Sequence, residues 1–390
     1  MSTGSVGRLR VCLIAPGLYA WGSHNPTGRA ARVLGRELAR RGVKVSAVIP
    51  KRHGQRDLEQ MDGITVHAYR PESPWSAVAL CRECDADVYH SFDPSVFTAM
   101  AGAAQRGRRH VVTIRAPHDW LRELRGGNRT DIAQACLLTE NPLVWLAVHR
   151  ADAILCASDD LVPLVRTKYR VKEAIFLPTP VAIPRRVQKG RTPTVCFMGG
   201  WDRHRHPELF FELARRFPAA TFVAVGKARD RRYDASLRRR YGSLPNLEFT
   251  GVIDPFHSDA LSNILAESWI LVNTGVRRGV PDACVEAAAH RCAILSDADP
   301  DGFATRFGYH AADGDLAAGL DALLANDSWR PRGELGYEFV LENYERERVV
   351  GRYLGVYEGR VEGESRRQTA ESSDCKGSGG RVQGSGTTSE

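Results

Sequence analysis

The sequence predicts an α/β protein built from two doubly wound Rossmann-like domains that face each other across a cleft. Three observations predict it. The first half alternates short apolar strands with amphipathic helices, the pattern of a parallel sheet covered on both faces. A proline-rich basic stretch breaks the alternation, and the same alternation then starts again. At 390 residues with ordinary apolar content, the chain is long enough for two such domains, each with its own core.

In the first half, strands are expected at residues 9–15, 43–49, 64–69, 88–90, 110–114, 153–156 and 174–177. The helix between the first two is the clearest: residues 28–41 turn Ala31, Val33, Leu34 and Leu38 toward the sheet, and Gly42 stops it. Helices at 131–150 and 159–169 complete this half. The segment PTPVAIPRRVQKGRTP, residues 178–193, carries four prolines and can continue neither a helix nor a central strand. The second half restarts with strands at 195–198, 221–225, 247–250, 270–273 and 293–296, followed by helices at 315–326 and 333–357. The expected division is a first domain over 1–183, a linker over 184–193 and a second domain over 194–332. A helical segment at 333–360 is expected to pack back toward the first domain. From residue 361 to 390, Gly, Ser, Thr and charge dominate, a composition that predicts disorder.

The net charge of +8 comes mainly from arginine, which suits phosphate-rich ligands or an anionic membrane surface. No nucleic-acid-binding motif accompanies it and the arginines are scattered, so nucleic acid is not expected as a partner. Of nine cysteines, Cys12, Cys156, Cys196 and Cys292 lie in apolar runs, as buried thiols of a reducing cytosol do. Cys81-Arg-Glu-Cys84 is the single CxxC pair; without a second pair or ligand-spaced histidines, a structural role is the simpler reading than zinc or redox chemistry. The amino terminus lacks the apolar core of a signal peptide and no apolar run reaches spanning length, so a cytoplasmic protein is expected.

Two loops of the second half carry the chemistry. In TVCFMGGWDRHRHPELFFELARRF a strand stops at Gly199-Gly200, passes through a basic turn and enters a helix near Pro207. In LVNTGVRRGVPDACVEAAAHRCAILSD a strand ends near Asn273, passes through Arg277-Arg278-Gly279 and enters a helix that begins near Asp282 and carries Glu286. Free N–H groups at helix starts bind anions, and glycine lets the backbone approach phosphate oxygens closely. A nucleotide diphosphate is the implied ligand, bound beyond the carboxyl ends of the strands.

The order of elements, the FMGGWDRHRHPELFFELA loop, the LEFTGV turn and the GVPDACVEAAAHRCAILSD segment resemble the retaining GT-B glycosyltransferases of family four, over nearly all of residues 9–357. The resemblance implies transfer of a sugar from a nucleotide-diphosphate sugar, with the first domain taking the acceptor and the second the donor. It implies no cofactor, and no Asp-x-Asp pair is placed to hold a metal, Asp297-Ala-Asp299 falling after a core strand. The acceptor, a small molecule, a glycan or a lipid-linked sugar, is expected to meet the first-domain loops at 17–27 and 117–130.

Position by position, the resemblance gives roles. An arginine and, five positions later, a lysine grip the donor phosphates in the family; here Gly200 and Arg205 stand there, and Arg203 or Arg278 could supply the missing charge. Glu286 matches the second carboxylate of the family's paired-glutamate motif, which holds the ribose hydroxyls, an acid being suited to accept from both hydroxyls of a vicinal diol. Arg278 replaces the first glutamate of that motif, which puts the usual sugar specificity in doubt. The N–H groups of Gly279, Val280 and Asp282, with Pro281 between them, mark the loop that would contact the sugar. Gly199 opens the phosphate turn, and Gly28 ends the loop that replaces the family's first-domain glycine pair. Gly251, Val252 and Ile253 correspond to the turn that reads the base, with Lys227 near the same rim. Arg115 takes the place of a family histidine, and His118 lies three residues on as a candidate catalytic group. The expected catalytic set is therefore Arg205, Glu286 and His118.

Arg29, Arg32, Arg36 and Arg40 form a stripe on the first long helix, expected to be a solvated face, with peripheral membrane contact as a second reading. Two other functions fit the same fold: a nucleotide-sugar epimerase or phosphorylase, and a non-catalytic nucleotide-sugar-binding partner protein suggested by the departures at Gly200, Arg115 and Arg278. No lysine in a fitting context could anchor the pyridoxal phosphate of a phosphorylase.

Overall fold

A computed structural model describes residues 9–73, 75–115, 141–275 and 279–360. Among them, eight strands form a first sheet: β1 (Arg10–Ile14), β2 (Lys44–Pro50), β3 (Leu58–Met61), β4 (Ile64–Tyr69), β5 (Val88–Phe92), β6 (Arg109–Ile114), β7 (Ala153–Cys156) and β8 (Ile175–Phe176). A second sheet holds β9 (Thr194–Gly200), β10 (Thr221–Lys227), β11 (Leu247–Gly251), β12 (Ile270–Asn273), β13 (Ala293–Ser296) and β14 (Gly308–His310). Around the first sheet lie α1 (Pro26–Arg40), α2 (Trp75–Cys84), α3 (Val96–Ala104), α4 (Pro142–His149) and α5 (Leu161–Tyr169). The second half contributes α6 (Pro207–Arg216), α7 (Arg231–Tyr241), α8 (Ala260–Glu267), α9 (Asp282–Ala289), α10 (Phe303–Phe307), α11 (Leu316–Leu324), α12 (Trp329–Tyr344) and α13 (Arg346–Tyr357).

The sheet orders are β3-β4-β2-β1-β5-β6-β7-β8 and β11-β10-β9-β12-β13-β14. Every pair is parallel except β3 with β4. In each sheet the winding direction reverses once, between β1 and β5 and between β9 and β12. Ligand crevices of doubly wound sheets open at such switch points, beyond the carboxyl ends of the strands.

The predicted strands fall on observed ones, and two short edge strands were missed. β3 reads LEQM and is too polar to signal a strand by its apolar pattern. Its cue was the turn that follows: Asp62 and Gly63, at φ 50° and 81°, form the Asp-Gly hairpin that returns the chain into β4. The first helix keeps Ala31, Leu34 and Leu38 in the core, but Val33 is only partly buried.

The expected single helix after residue 333 is two. Glu345 is extended at φ −56° and ψ 134°, and its carboxylate accepts the Arg348 N–H at 2.9 Å, capping α13. At the break, Val181 of the returning chain donates to the Tyr344 carbonyl at 2.9 Å. α12 stays on the second sheet, where the missing side chain of Gly336 admits Ala288 and Phe307. α13 crosses to the first sheet and buries Val349, Val350, Tyr353, Val356 and Tyr357 among Val11, Leu13 and Leu34. There His90 is fully buried between the Tyr357 and Thr113 hydroxyls, each 2.7 Å away, and burial holds its pKa down to about 3. Among the described residues no helix is long and apolar enough to cross a membrane.

A candidate active site between the lobes

In the second lobe, β9 runs through Gly199-Gly200 into a short turn over Arg203–Arg205 and then α6. Gly199 has φ 139°, and a Cβ there would lie 3.1 Å from Arg205 Nη1, so the guanidinium rests against a bare backbone that an alanine would crowd. The Arg205 carbonyl accepts from the Thr274 hydroxyl, just past the end of β12. Arg205 is thereby held where β9 and β12 diverge. Beneath it, Gly226 at φ 133° leaves room for the Gly199 carbonyl, which a Cβ would meet at 1.9 Å.

Facing groups of the second lobe are paired with groups of the first. Glu286, on α9, receives Arg29 Nη2 of α1 at 2.7 Å, with both side chains less than one-fifth exposed. Burial pushes the Glu286 pKa up, against the pull of Arg29 and with a smaller push from Asp282. Burial pulls the Arg29 pKa down, but Glu286 and Asp282 outweigh it and leave the guanidinium above its ordinary value. Asp282 receives Arg115 Nη2 at 2.6 Å, and Arg115 Nη1 donates to the Thr179 hydroxyl at 2.6 Å. Asp93 ties the first-lobe side together, accepting from the Thr27 hydroxyl and the Arg115 N–H, each at 2.8 Å.

A second junction joins α5 to the loop before α9. Asp301 of the second lobe accepts the Asp159 and Asp160 N–H groups at 3.1 and 2.6 Å, capping the start of α5 from the opposite lobe. In return, Asp160 accepts the Gly279 N–H at 3.2 Å and the Ser158 hydroxyl oxygen accepts the Val280 N–H at 3.0 Å. The N–H groups of Gly279 and Val280, expected to face the sugar, are thus taken up by the first lobe.

Ser158 Oγ lies 2.7 Å from both Asp160 Oδ1 and Asp301 Oδ2, yet has one proton to give. Both contacts are satisfied when Ser158 donates to Asp301 and Asp160 keeps its own proton. In keeping with this, burial raises the Asp160 pKa above its ordinary 3.8, with Asp301 adding to the rise. A carboxyl with a raised folded-state pKa holds its proton more tightly when folded, so its contribution to stability is lost as pH climbs through that raised value. Asp160→Asn, which resembles the protonated acid, is expected to melt above wild type at neutral pH. The gap should close as pH falls toward 3.8, which thermal melts across a pH series will read.

The other expected site residues are placed as follows. Gly28 lies in the first turn of α1, where a Cβ would meet the Gly17 carbonyl oxygen at 2.6 Å, so its bareness serves the packing of the 17–25 loop. The Arg203 guanidinium stacks on Tyr233 at 4.2 Å, on the flank between α6 and α7. Gly200 and Lys227 are register partners across β9 and β10, and Lys227 lies near enough to His24 to lower its pKa, after burial. Gly251 ends β11 at φ 76°, and Ile253 and Val280 both pack against one apolar cluster of the second lobe. Pro281 is extended and precedes the first turn of α9. Arg278 and His118, with the 117–130 loop, lie outside the described residues.

The arginine stripe is corrected. Arg32 is buried, bonds Asp62 at 2.7 Å and lies 3.9 Å over the ring of Phe256 from the second lobe. Arg36 reaches the same ring at 5.2 Å, Arg29 holds Glu286, and only Arg40 is exposed. Three of the four face the other lobe, so the face is not solvated and loses the membrane-docking rationale built on it. Sequence reasoning also missed Asp93, Ser158, Asp160, Thr179 and Asp301, short polar residues whose partners lie 22 to 143 positions away.

Comparison with known proteins agrees with this architecture. The family model described as Glycosyltransferase Family 4 matches residues 27–183. None of the curated proteins matches the chain. Among solved structures, a sucrose-phosphate synthase from Thermosynechococcus elongatus is similar with a TM-score of 0.71 at 15% identity, over 90% of this chain and 99% of that one. HepE from Anabaena, in complex with UDP and glucose, gives 0.67 at 11% over 90% and 100%. The catalytic domain of starch synthase IV from Arabidopsis thaliana, bound to ADP and acarbose, gives 0.62 at 12% over 90% and 99%. At these identities the structural likeness is one of fold.

Proposed function

We propose that this chain, whose residues 27–183 match the model of Glycosyltransferase Family 4 and whose two-sheet fold is shared with a solved sucrose-phosphate synthase, moves a sugar from a nucleotide-diphosphate sugar to an acceptor with retention of anomeric configuration. One observation carries the assignment of the donor site: Glu286, in the second turn of α9 beside the β9/β12 switch point, is largely covered by the opposite lobe with a cation as its partner. In this reading its carboxylate takes the two ribose hydroxyls, and Arg205 meets the diphosphate.

Donor entry is then an exchange of partners. The ribose displaces Arg29 from Glu286, and the diphosphate offers Arg29 a new anion. Arg29 Nε supports this, being buried without a hydrogen-bond partner among the described residues, a condition that disfavours leaving its N–H idle. As the leaving nucleotide departs on the face from which the acceptor attacks, negative charge grows on the diphosphate. Arg205 and the N-terminus of α6 stabilise that charge, and no protein nucleophile is required. No step of this transfer calls on His118, and a cytoplasmic location accords with the buried free thiols.

Incubation with UDP-, GDP- and ADP-sugars, read by thermal shift and by free nucleotide, tests the proposal. One nucleotide series should stabilise the protein and be slowly hydrolysed. Stabilisation without nucleotide release in any acceptor mixture would favour a non-catalytic binding role, and no stabilisation by any donor would remove the donor site.

A further inference from the structure

The turn between β7 and α5 is pressed against the loop that opens α9. Gly279 stands at φ 81°, and a Cβ on it would lie 3.3 Å from Leu161 Cδ1, 3.4 Å from Ser158 Cβ and 3.5 Å from the Arg115 carbonyl oxygen, all of the first lobe. One methyl group would fill that gap, so no sugar ring fits between the lobes there. At the same place the Asp160 carboxyl and the Ser158 hydroxyl oxygen accept the Gly279 and Val280 N–H groups at 3.2 and 3.0 Å. Asp301 of the second lobe holds the turn down through the Asp159 and Asp160 N–H groups and the Ser158 hydroxyl.

Resting on the donor-site reading above, we propose that Ser158-Asp159-Asp160 is an autoinhibitory plug of the donor's sugar subsite. The Ser158 and Asp160 oxygens stand in for two hydroxyl oxygens of the sugar, and the sugar is bound only when the plug withdraws. The nucleoside diphosphate half of the donor does not compete with the plug, because Glu286, its ribose partner, is held by Arg29 instead. The plug therefore handicaps the sugar alone. Apparent affinity for a nucleotide sugar is the intrinsic affinity scaled by the fraction of molecules with the turn withdrawn, a reduction that the free nucleoside diphosphate does not meet. The contact is also readily reversed. Its bonds join polar groups that water satisfies once the lobes part, so each favours the plugged state only by its small net worth.

The test is calorimetric titration of the full chain with UDP, ADP and GDP and with UDP-glucose, ADP-glucose and GDP-mannose, read as the affinity of a nucleotide sugar relative to its own nucleotide. In the double variant Ser158→Ala/Asp160→Ala the nucleotide sugar should gain about tenfold on the nucleotide, the net worth of the two hydrogen bonds that the plug loses. Asp160→Asn, whose amide oxygen still accepts the Gly279 N–H, should keep the wild-type ratio. Thermal melts establish folding, and Asp160→Ala alone should move the ratio the same way by part of that amount if the double variant does not fold. Nucleotide binding with an unchanged ratio in the folded alanine variants overturns the plug and leaves the donor site standing. An equal gain for nucleotide and nucleotide sugar also overturns it, since the substitutions then only loosen the lobe contact. Absence of binding by every nucleotide and nucleotide sugar removes the donor site, and the plug with it.

Discussion

Glu286→Gln is expected to lower kcat/KM for the donor by about 10²–10³-fold, because charge-assisted hydrogen bonds to two ribose hydroxyls are worth about 1.5–3 kcal/mol each and the amide keeps only part of them. The same change leaves Arg29 facing a neutral partner across the lobe contact. Removing one member of a buried pair costs about 3–5 kcal/mol, and the modest exposure of both groups puts the expected loss at the lower end. Loss of activity alone would then be ambiguous. Combining Glu286→Gln with Arg29→Met separates the two effects: stability should recover in the double variant while donor use should not. Steady-state nucleotide release and thermal melts on the four members of the cycle supply the comparison. If turnover returns together with stability, Glu286 serves only the lobe contact.

Arg205→Ala is expected to reduce turnover by about 10²–10³-fold, the scale of losing one preorganised donor to a developing oxyanion. Folding should be little changed. The Arg205 carbonyl, which accepts from Thr274, belongs to the backbone and survives the substitution. The guanidinium lies over the bare Cα of Gly199 rather than within an apolar cluster, so truncation opens no core cavity. A folded variant with wild-type turnover removes Arg205 from the chemistry. Arg205→Lys distinguishes charge from geometry: partial recovery means a point charge suffices, and none means the forked guanidinium is needed.

The sequence singles out these two residues because each sits at a fixed offset in a local pattern: a strand, a glycine turn, a helix. The parallel strands were legible for a similar reason. A strand buried on both faces, such as β1 or β12, must be a continuous apolar run, whatever it packs against. Edge strand β3 faces solvent and obeys no such rule, so only its Asp62-Gly63 turn announced it.

What the sequence by itself determined was the pair of doubly wound sheets, the break between them and the two glycine-opened loops of the second. Each of these follows from interactions among residues close along the chain: hydrophobic period, proline geometry and backbone freedom at glycine. Only the tertiary structure decided who faces whom across the cleft. Arg29, read as part of a solvated stripe, lies 257 positions from Glu286 yet makes an ion pair with it, and Asp301 caps a helix that begins 140 residues earlier. A helix's sequence period says which residues share a face, but not whether that face meets water or another lobe. An arginine suits either surface, and its partner is fixed only when the chain's distant parts are brought together.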